Sequence, residues 1–205
     1  RLFIPNAFHS LEGFSNMALS KMQAWLPSLC LLCVVTMASA QDLSLRNGDF
    51  QQAMVGNSVP GWRLEQHAGD PAYEMKVVPD KSEPGNSIFC IRRTKNEAYG
   101  LIGQEMPLTN IPTGKEVELL ARMKTKAVGP DGWVLMLDMI GKVHRTLPTS
   151  ILRQVRSSPL SGDRDWQTVS IRTVIPDSTT LIGISATLLD AGTGCIDDVR
   201  VRLIQ

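Results

Sequence analysis

The 205-residue chain carries 21 basic and 20 acidic side chains, a net charge of +1, which leaves no electrostatic footprint for nucleic acid or an anionic membrane surface. Its length suits one ordinary domain with its own core, and no second block of distinct composition argues for two. Aromatic residues make up 5%, so any aromatic platform for a ligand must be built from few rings.

From the start of the chain, residues 17–40 read as a secretory leader: Lys21, an apolar stretch through Val35 and Met37, then the small-x-small pattern Ala38-Ser39-Ala40, with cleavage expected after Ala40. Residues 1–16 lack leader features and read as an upstream stretch before a start at Met17, not necessarily translated. The apolar core is too short for a spanning helix. Removing residues 1–40 takes two basic and one acidic side chain, leaving 19 of each. The expected product, residues 41–205, is secreted or periplasmic. Its remaining cysteines, Cys90 and Cys195, then lie in a compartment that permits disulfides. Each sits in a predicted strand, and a bridge or two buried thiols both fit the sequence.

Helical periodicity is hard to find beyond the leader. Short apolar or alternating runs recur between clusters of Gly, Pro, Asn and Asp, the pattern of an all-β sandwich or barrel. Strands are predicted at 43–47, 61–66, 73–79, 87–93, 100–107, 116–126, 133–140, 150–156, 166–175, 181–189 and 195–204. The clearest is 116–126, where Val117, Leu119, Ala121 and Met123 share one face. Turn chemistry separates several of them, at 79–87, 128–132, 157–165 and 190–194. At 133–140 the odd positions Trp133, Leu135, Leu137 and Met139 form one face, and Asp138 interrupts the other between Met136 and Ile140. The fold expected is two packed antiparallel sheets.

Chemistry is sparse along the same path. Beyond the leader there are two histidines, His67 and His144, each in polar surroundings. There is no G-x-S-x-G elbow, P-loop, G-x-G-x-x-G or H-E-x-x-H, and two cysteines give no zinc-knuckle spacing. An enzyme is the minority reading. The last strand poses a question of its own, because Asp197 and Asp198 precede a clean alternation of Val199, Val201 and Leu203 with Arg200 and Arg202. If alternation already runs through the pair, Asp197 faces inward, where a carboxylate needs a cation or donors.

Several segments in order resemble one family: Asn47-Gly48-Asp49-Phe50, Pro60-Gly61-Trp62, "GNSIFCI" at 85–91, "GLIGQEMPL" at 100–108 leading to "GKEVELLARMKTK", "DWQTVSIRTVIP" at 165–176 and "IDDVRV" at 196–201. Together they resemble carbohydrate-binding modules of the CenC type, within the galactose-binding-like jelly-roll sandwiches. The resemblance implies a jelly-roll β-sandwich that binds poly- or oligosaccharide on a sheet face or loop edge. It also implies a structural calcium where the first and last strands meet, with Asp197 as a carboxylate ligand and Asp49 and Gln51 supplying further oxygens. Glu83 or Asn86 is a third contributor, and a capping role for Asp197 remains the alternative. Gln51 stands where such modules commonly carry an acid. For sugar, Tyr99 and Trp133 are the expected aromatic platforms, with Gln104 and Asp138 as polar partners; Arg122, Lys124 and Arg172 read as a solvated face. Trp62 and Trp166 are assigned to packing. The expected partners are a glycan and either a separate secreted enzyme or a cell-surface protein. The competing expectation is a structural or adhesion sandwich that binds protein.

Overall fold

A computed structural model describes residues 40–109, 111–142 and 149–204, so the leader up to residue 39 and His144 lie outside the described residues. The chain forms β1 (Ala40–Leu43), β2 (Arg63–Gln66), β3 (Tyr73–Pro79), β4 (Ser87–Arg93), β5 (Gly100–Pro107), β6 (Glu116–Lys142), β7 (Thr149–Arg156), β8 (Leu160–Val174), β9 (Thr179–Leu188) and β10 (Thr193–Ile204). All pairings are antiparallel, and the fold is the expected jelly-roll β-sandwich.

The 27-residue β6 organises the molecule. Its first half pairs with β10 and β8, its second half with β9 and β7. One layer therefore runs β3-β4-β10-β6-β8, with β1 added to β10 beyond β4, and the other runs β2-β5-β9-β6-β7. The Val128–Gly132 stretch, which reads as a turn, is instead where the strand crosses between layers. Ala127 and Gly132 take positive φ there, 52° and 83°, and the pairing with β8 is interrupted by register shifts. Pro130 fits inside such an irregular strand because the ladder is already broken.

Alternation builds the core. Val117, Leu119, Ala121 and Met123 from the first half of β6 meet Trp133, Leu135, Leu137 and Met139 from the second, all 0% exposed, with Phe89, Ile91, Ile102, Ile182 and Val201 between them. Each of these side chains larger than alanine contributes on the order of 1.5–3 kcal/mol by leaving water. Gly194 lies directly beneath the Trp133 indole, where a Cβ would collide with the ring.

Cys90 and Cys195 stand directly opposite in register on β4 and β10, with Cα atoms 4.1 Å apart, and are joined by a disulfide. The bridge clasps the first layer across 105 residues of sequence. At the N-terminal side, Asn47 and Phe50 both adopt positive φ, and Asn47 ties the loop together: its Nδ2 donates to the Pro60 carbonyl (3.1 Å), while its own carbonyl accepts from Trp62 Nε1 (2.9 Å). Gly48 is packed against the Val199 backbone, and Val199 N–H donates to its carbonyl at 2.8 Å. The Asn-Gly-Asp-Phe and Pro-Gly-Trp segments are thus one folded unit against β10.

Candidate binding face and candidate cation site

Because strands alternate, the register of the second layer fixes what it shows on the side away from the core. Glu105, Gly183, Asp138 and Gln154 form one row across β5, β9, β6 and β7. Arg63, Gly103, Ser185, Met136 and Arg156 form the next, and Glu65, Leu101, Thr187 and Val134 a third. Arg63 is shared by two carboxylates, Glu65 (2.6 Å) and Glu105 (3.3 Å). Asp138 is half-buried and accepts from Gln154 Nε2 at 2.8 Å; burial pushes its carboxyl pKa up, and the Gln154 bond opposes this only in part. The result is an outer face with planar polar side chains at Glu105, Asp138, Gln154, Arg63 and Arg156, glycine and small residues at Gly103, Gly183 and Ser185, and an apolar patch of Leu101, Val134 and Met136.

Tyr99 extends this face. Its carbonyl accepts from His67 N–H (3.0 Å), continuing the β2–β5 ladder by one pair, which puts its ring in line with Leu101. The ring meets His67 edge-on at 5.6 Å, and His67 Nδ1 is 2.9 Å from Glu97 Oε1. The Ala98 amide and His67 hold the Glu97 carboxyl below its ordinary range. At the same end a 380 Å³ pocket is lined by Ala98, Pro130, Asp131, Val134, Arg156 and Leu189, among others.

Two expected sugar contacts are corrected. Trp133 is fully buried on the core side of β6, its Nε1 donating to the Cys195 carbonyl at 3.2 Å, so no ligand reaches its ring. Gln104 has the same parity as the buried Ile102 and Met106 and therefore points away from the outer face; both ends of its amide are spent on the Arg46 backbone, at 3.0 Å each. Tyr99 and Asp138 do share the face. Sequence reading passed over Arg63, Glu65, Glu105, Gln154 and Arg156, although each occupies the polar parity of its strand.

The paired carboxylates within β10 also differ from expectation. Between Asp197 and Arg200 the pairing with β6 slips by one residue, a β-bulge, and Asp198 takes φ 49°. The bulge resets the alternation. Ile196 and Val199 both face the core, while Asp197 lies opposite Arg122 on the other side, covered to 2% exposure by the neighbouring loops. Its Oδ2 accepts from Asn86 Nδ2 (2.9 Å) and lies 3.7 Å from Arg122, but its Oδ1 is buried with no partner. Burial drives the Asp197 pKa up, against the Asn86 bond.

Asn86 links this acid to Gln51. Three oxygens converge on Gln51 Nε2: Asn86 Oδ1 (2.6 Å), the Asp49 carbonyl (2.7 Å) and the Ser87 carbonyl (3.2 Å). A primary amide offers two hydrogens, one fewer than the oxygens around it, and its oxygen and nitrogen are interchangeable in shape. Asn86 joins the Asp197 carboxylate to this cluster, and carboxylate, amide and carbonyl oxygens are the kind a hard cation such as calcium accepts. Asp49 enters through its backbone, its exposed carboxylate capping Gln51 N–H at 3.3 Å. Glu83 is turned to Arg122 (3.2 Å). Among the described residues no three His, Cys, Asp or Glu side chains gather as a metal site, so Asp197 is the single carboxylate in the set.

No family model and no curated protein matches this sequence. Solved structures do match its fold. The enzymatically active domain of tailspike protein 4 of bacteriophage CBA120 aligns at a TM-score of 0.61 with 14% identity, over 78% of this chain and 21% of that one. The N-terminal CBM22-1-CBM22-2 tandem domain of Paenibacillus barcinonensis Xyn10C aligns at 0.52 with 13% identity, over 83% of this chain and 47% of that one. A family 16 carbohydrate-binding module aligns at 0.50 with 17% identity, over 77% of this chain and 97% of that one. The chain thus spans about a fifth of the tailspike domain and about half of the tandem module. At these identities the likeness is one of fold: a jelly-roll sandwich shared with carbohydrate-binding modules.

Proposed function

We propose that this chain is a secreted, non-catalytic carbohydrate-binding module of the CenC type, which holds a poly- or oligosaccharide on the outer face of β2-β5-β9-β6-β7. The observation that carries the reading is the register of that face. Arg63, Glu105, Asp138, Gln154 and Arg156 fall in adjacent rows at one level of the sheet, with glycines between them, and Tyr99 closes one end. Planar amides, carboxylates and guanidinium groups suit sugar hydroxyls, and a tyrosine ring suits the apolar face of a pyranose. The fold shared with a family 16 module and the CBM22 tandem supports the same reading. The ligand class is glycan, and the module would serve a separate secreted enzyme or a cell-surface protein that needs attachment to that glycan.

Calcium is the proposed structural ion. Asp197 Oδ1, the Gln51 amide oxygen, the Asp49 and Ser87 carbonyls and Asn86 Oδ1 would hold it, and it would fasten the 47–52 loop to β10. The support is the unpartnered buried oxygen of Asp197.

A second reading, an adhesion sandwich that binds protein, is favoured by one feature: the strands of the face carry no aromatic ring on their outer side, leaving Tyr99 alone at its end. A glycan array probed with residues 41–205, with calcium and again with chelator, separates the two. Binding to a defined glycan set that Tyr99→Ala abolishes without lowering the melting temperature supports the module. A folded sample that binds no glycan moves the protein-binding reading ahead. Calcium binding predicts a melting temperature lowered by chelator in the wild type and unmoved in Asp197→Ala.

A further inference from the structure

The other layer carries a second cavity that the proposed glycan face does not use. It measures about 470 Å³ and lies on the outer side of β6, β8 and β10, lined by Lys124, Lys126, Arg164, Thr193 and Cys195 together with Asp163 and Asp165. Its floor is apolar for a reason visible in the register. Cys195 stands between Cys90 and Lys124, so the disulfide forms the centre of the outer surface here, and Thr193 lies beside it opposite Lys126.

The charges around this floor are unequally satisfied. Asp163 Oδ1 accepts from the Ala127 amide (2.6 Å) across the β6–β8 crossing and Asp165 Oδ1 from the adjacent Trp166 amide (2.7 Å), so each acid spends one oxygen on the backbone. Lys124 lies over the Trp166 ring, 4.3 Å from its centroid, with Asp80 at 3.4 Å. Arg164 spends only its Nε, on the Ser161 carbonyl (3.2 Å), and neither it nor the exposed Lys126 enters an ion pair among the described residues. Three cations thus stand around a floor of the disulfide and Thr193, and two of them, Lys126 and Arg164, are in no direct ion pair among the described residues, although Asp163 and Asp165 share the lining.

We propose that this cavity is a second binding site, taking the anionic group of an acidic polysaccharide, a sulfate ester or a uronate carboxylate. Lys126 and Arg164 grip the charge, and the disulfide floor covers the sugar ring. Arg164 supplies a planar fork suited to either oxyanion, and Lys126 a point charge. The site lies on the layer opposite the proposed glycan face, so the two are separable by mutation.

The test uses the whole chain with three soluble polymers: dextran sulfate, polygalacturonate and unmodified dextran. Wild-type protein is expected to bind one or both polyanions and to release them as salt rises. Lys126→Ala with Arg164→Ala, both at exposed positions, should weaken that binding at least about tenfold, as expected for losing charge-assisted contacts, while the melting temperature and any neutral-glycan binding stay unchanged. Binding of dextran sulfate alone identifies a sulfate site, and of polygalacturonate alone a carboxylate site. The proposal is overturned if neither polyanion binds better than dextran, or if the double variant binds as wild type. It also falls if Tyr99→Ala, on the opposite layer, abolishes polyanion binding.

Discussion

Replacing Trp133 with phenylalanine separates packing from binding. The indole is 0% exposed, bears on Gly194, and donates one hydrogen bond to the Cys195 carbonyl. Trp133→Phe removes that bond, a net loss of about 1 kcal/mol. It also removes ring atoms equivalent to two or three buried methylenes, roughly 2 kcal/mol more. The sum, about 3 kcal/mol, corresponds to a fall in melting temperature of roughly 6–12 °C for a domain of this size. Differential scanning calorimetry reads the shift, and isothermal titration below the new transition reads ligand affinity. Affinity should stay within about twofold of wild type, because the ring lies behind the sheet from the proposed face. An unchanged melting temperature with lost binding would refute the reasoning and return Trp133 to the ligand.

Further predictions rest on the same framework. Serine at both Cys90 and Cys195 should cost about 2–4 kcal/mol in denaturant unfolding, and a reductant should lower wild-type stability toward that of the variant. Asp80 is 3% exposed; burial pushes its pKa up, but the Ser82 amide and hydroxyl and Lys124 outweigh this and hold it below the ordinary value, with Trp166 Nε1 donating at 3.1 Å. Its stabilisation is therefore present above the unfolded carboxylate pKa and lost as pH falls through the folded one. Asp80→Asn should lose about 1–3 kcal/mol at neutral pH, and urea titrations should show the gap closing in acid. Asp138 has the opposite sign: raised by burial, it favours the fold in its protonated form, and that advantage disappears as pH rises through its folded pKa. Asp138→Asn should consequently be at least as stable as wild type at neutral pH and indistinguishable from it in acid; lower stability at neutral pH would contradict the assignment.

The strands were legible in the sequence because each has one buried face. The alternation at 116–126, 133–140 and 181–189 places the residues that the structure buries. The same rule already put Trp133 with Leu135, Leu137 and Met139 and set Gln104 on the side of Ile102 and Met106, so their burial side was readable. The continuity of β6 was not readable, since Val-Gly-Pro-Asp-Gly has the chemistry of a turn and is held in the strand by distant partners, β8 at Val128 and the 189–191 backbone at Gly129 and Gly132. Nor was the bulge at Asp198, because a left-handed residue within a strand leaves no trace in hydrophobic periodicity. The proposed face draws its charged and amide side chains, one or two apiece, from β2, β5, β6 and β7, with β9 between them, and the order of these strands across the sheet is long-range information. Arg63, Glu105 and Arg156 each look like ordinary solvated positions until the register sets them in rows.

Backbone amide chemical-shift mapping during titration with an oligosaccharide selected from the array tests the central claim most directly. The account predicts that the largest perturbations cluster at residues 99–105, 134–140, 154–156 and 183–187, on one side of one layer, with the sugar unaltered afterwards. Perturbations centred instead on β3, β4 and β8, or appearance of a cleaved glycan, would contradict it.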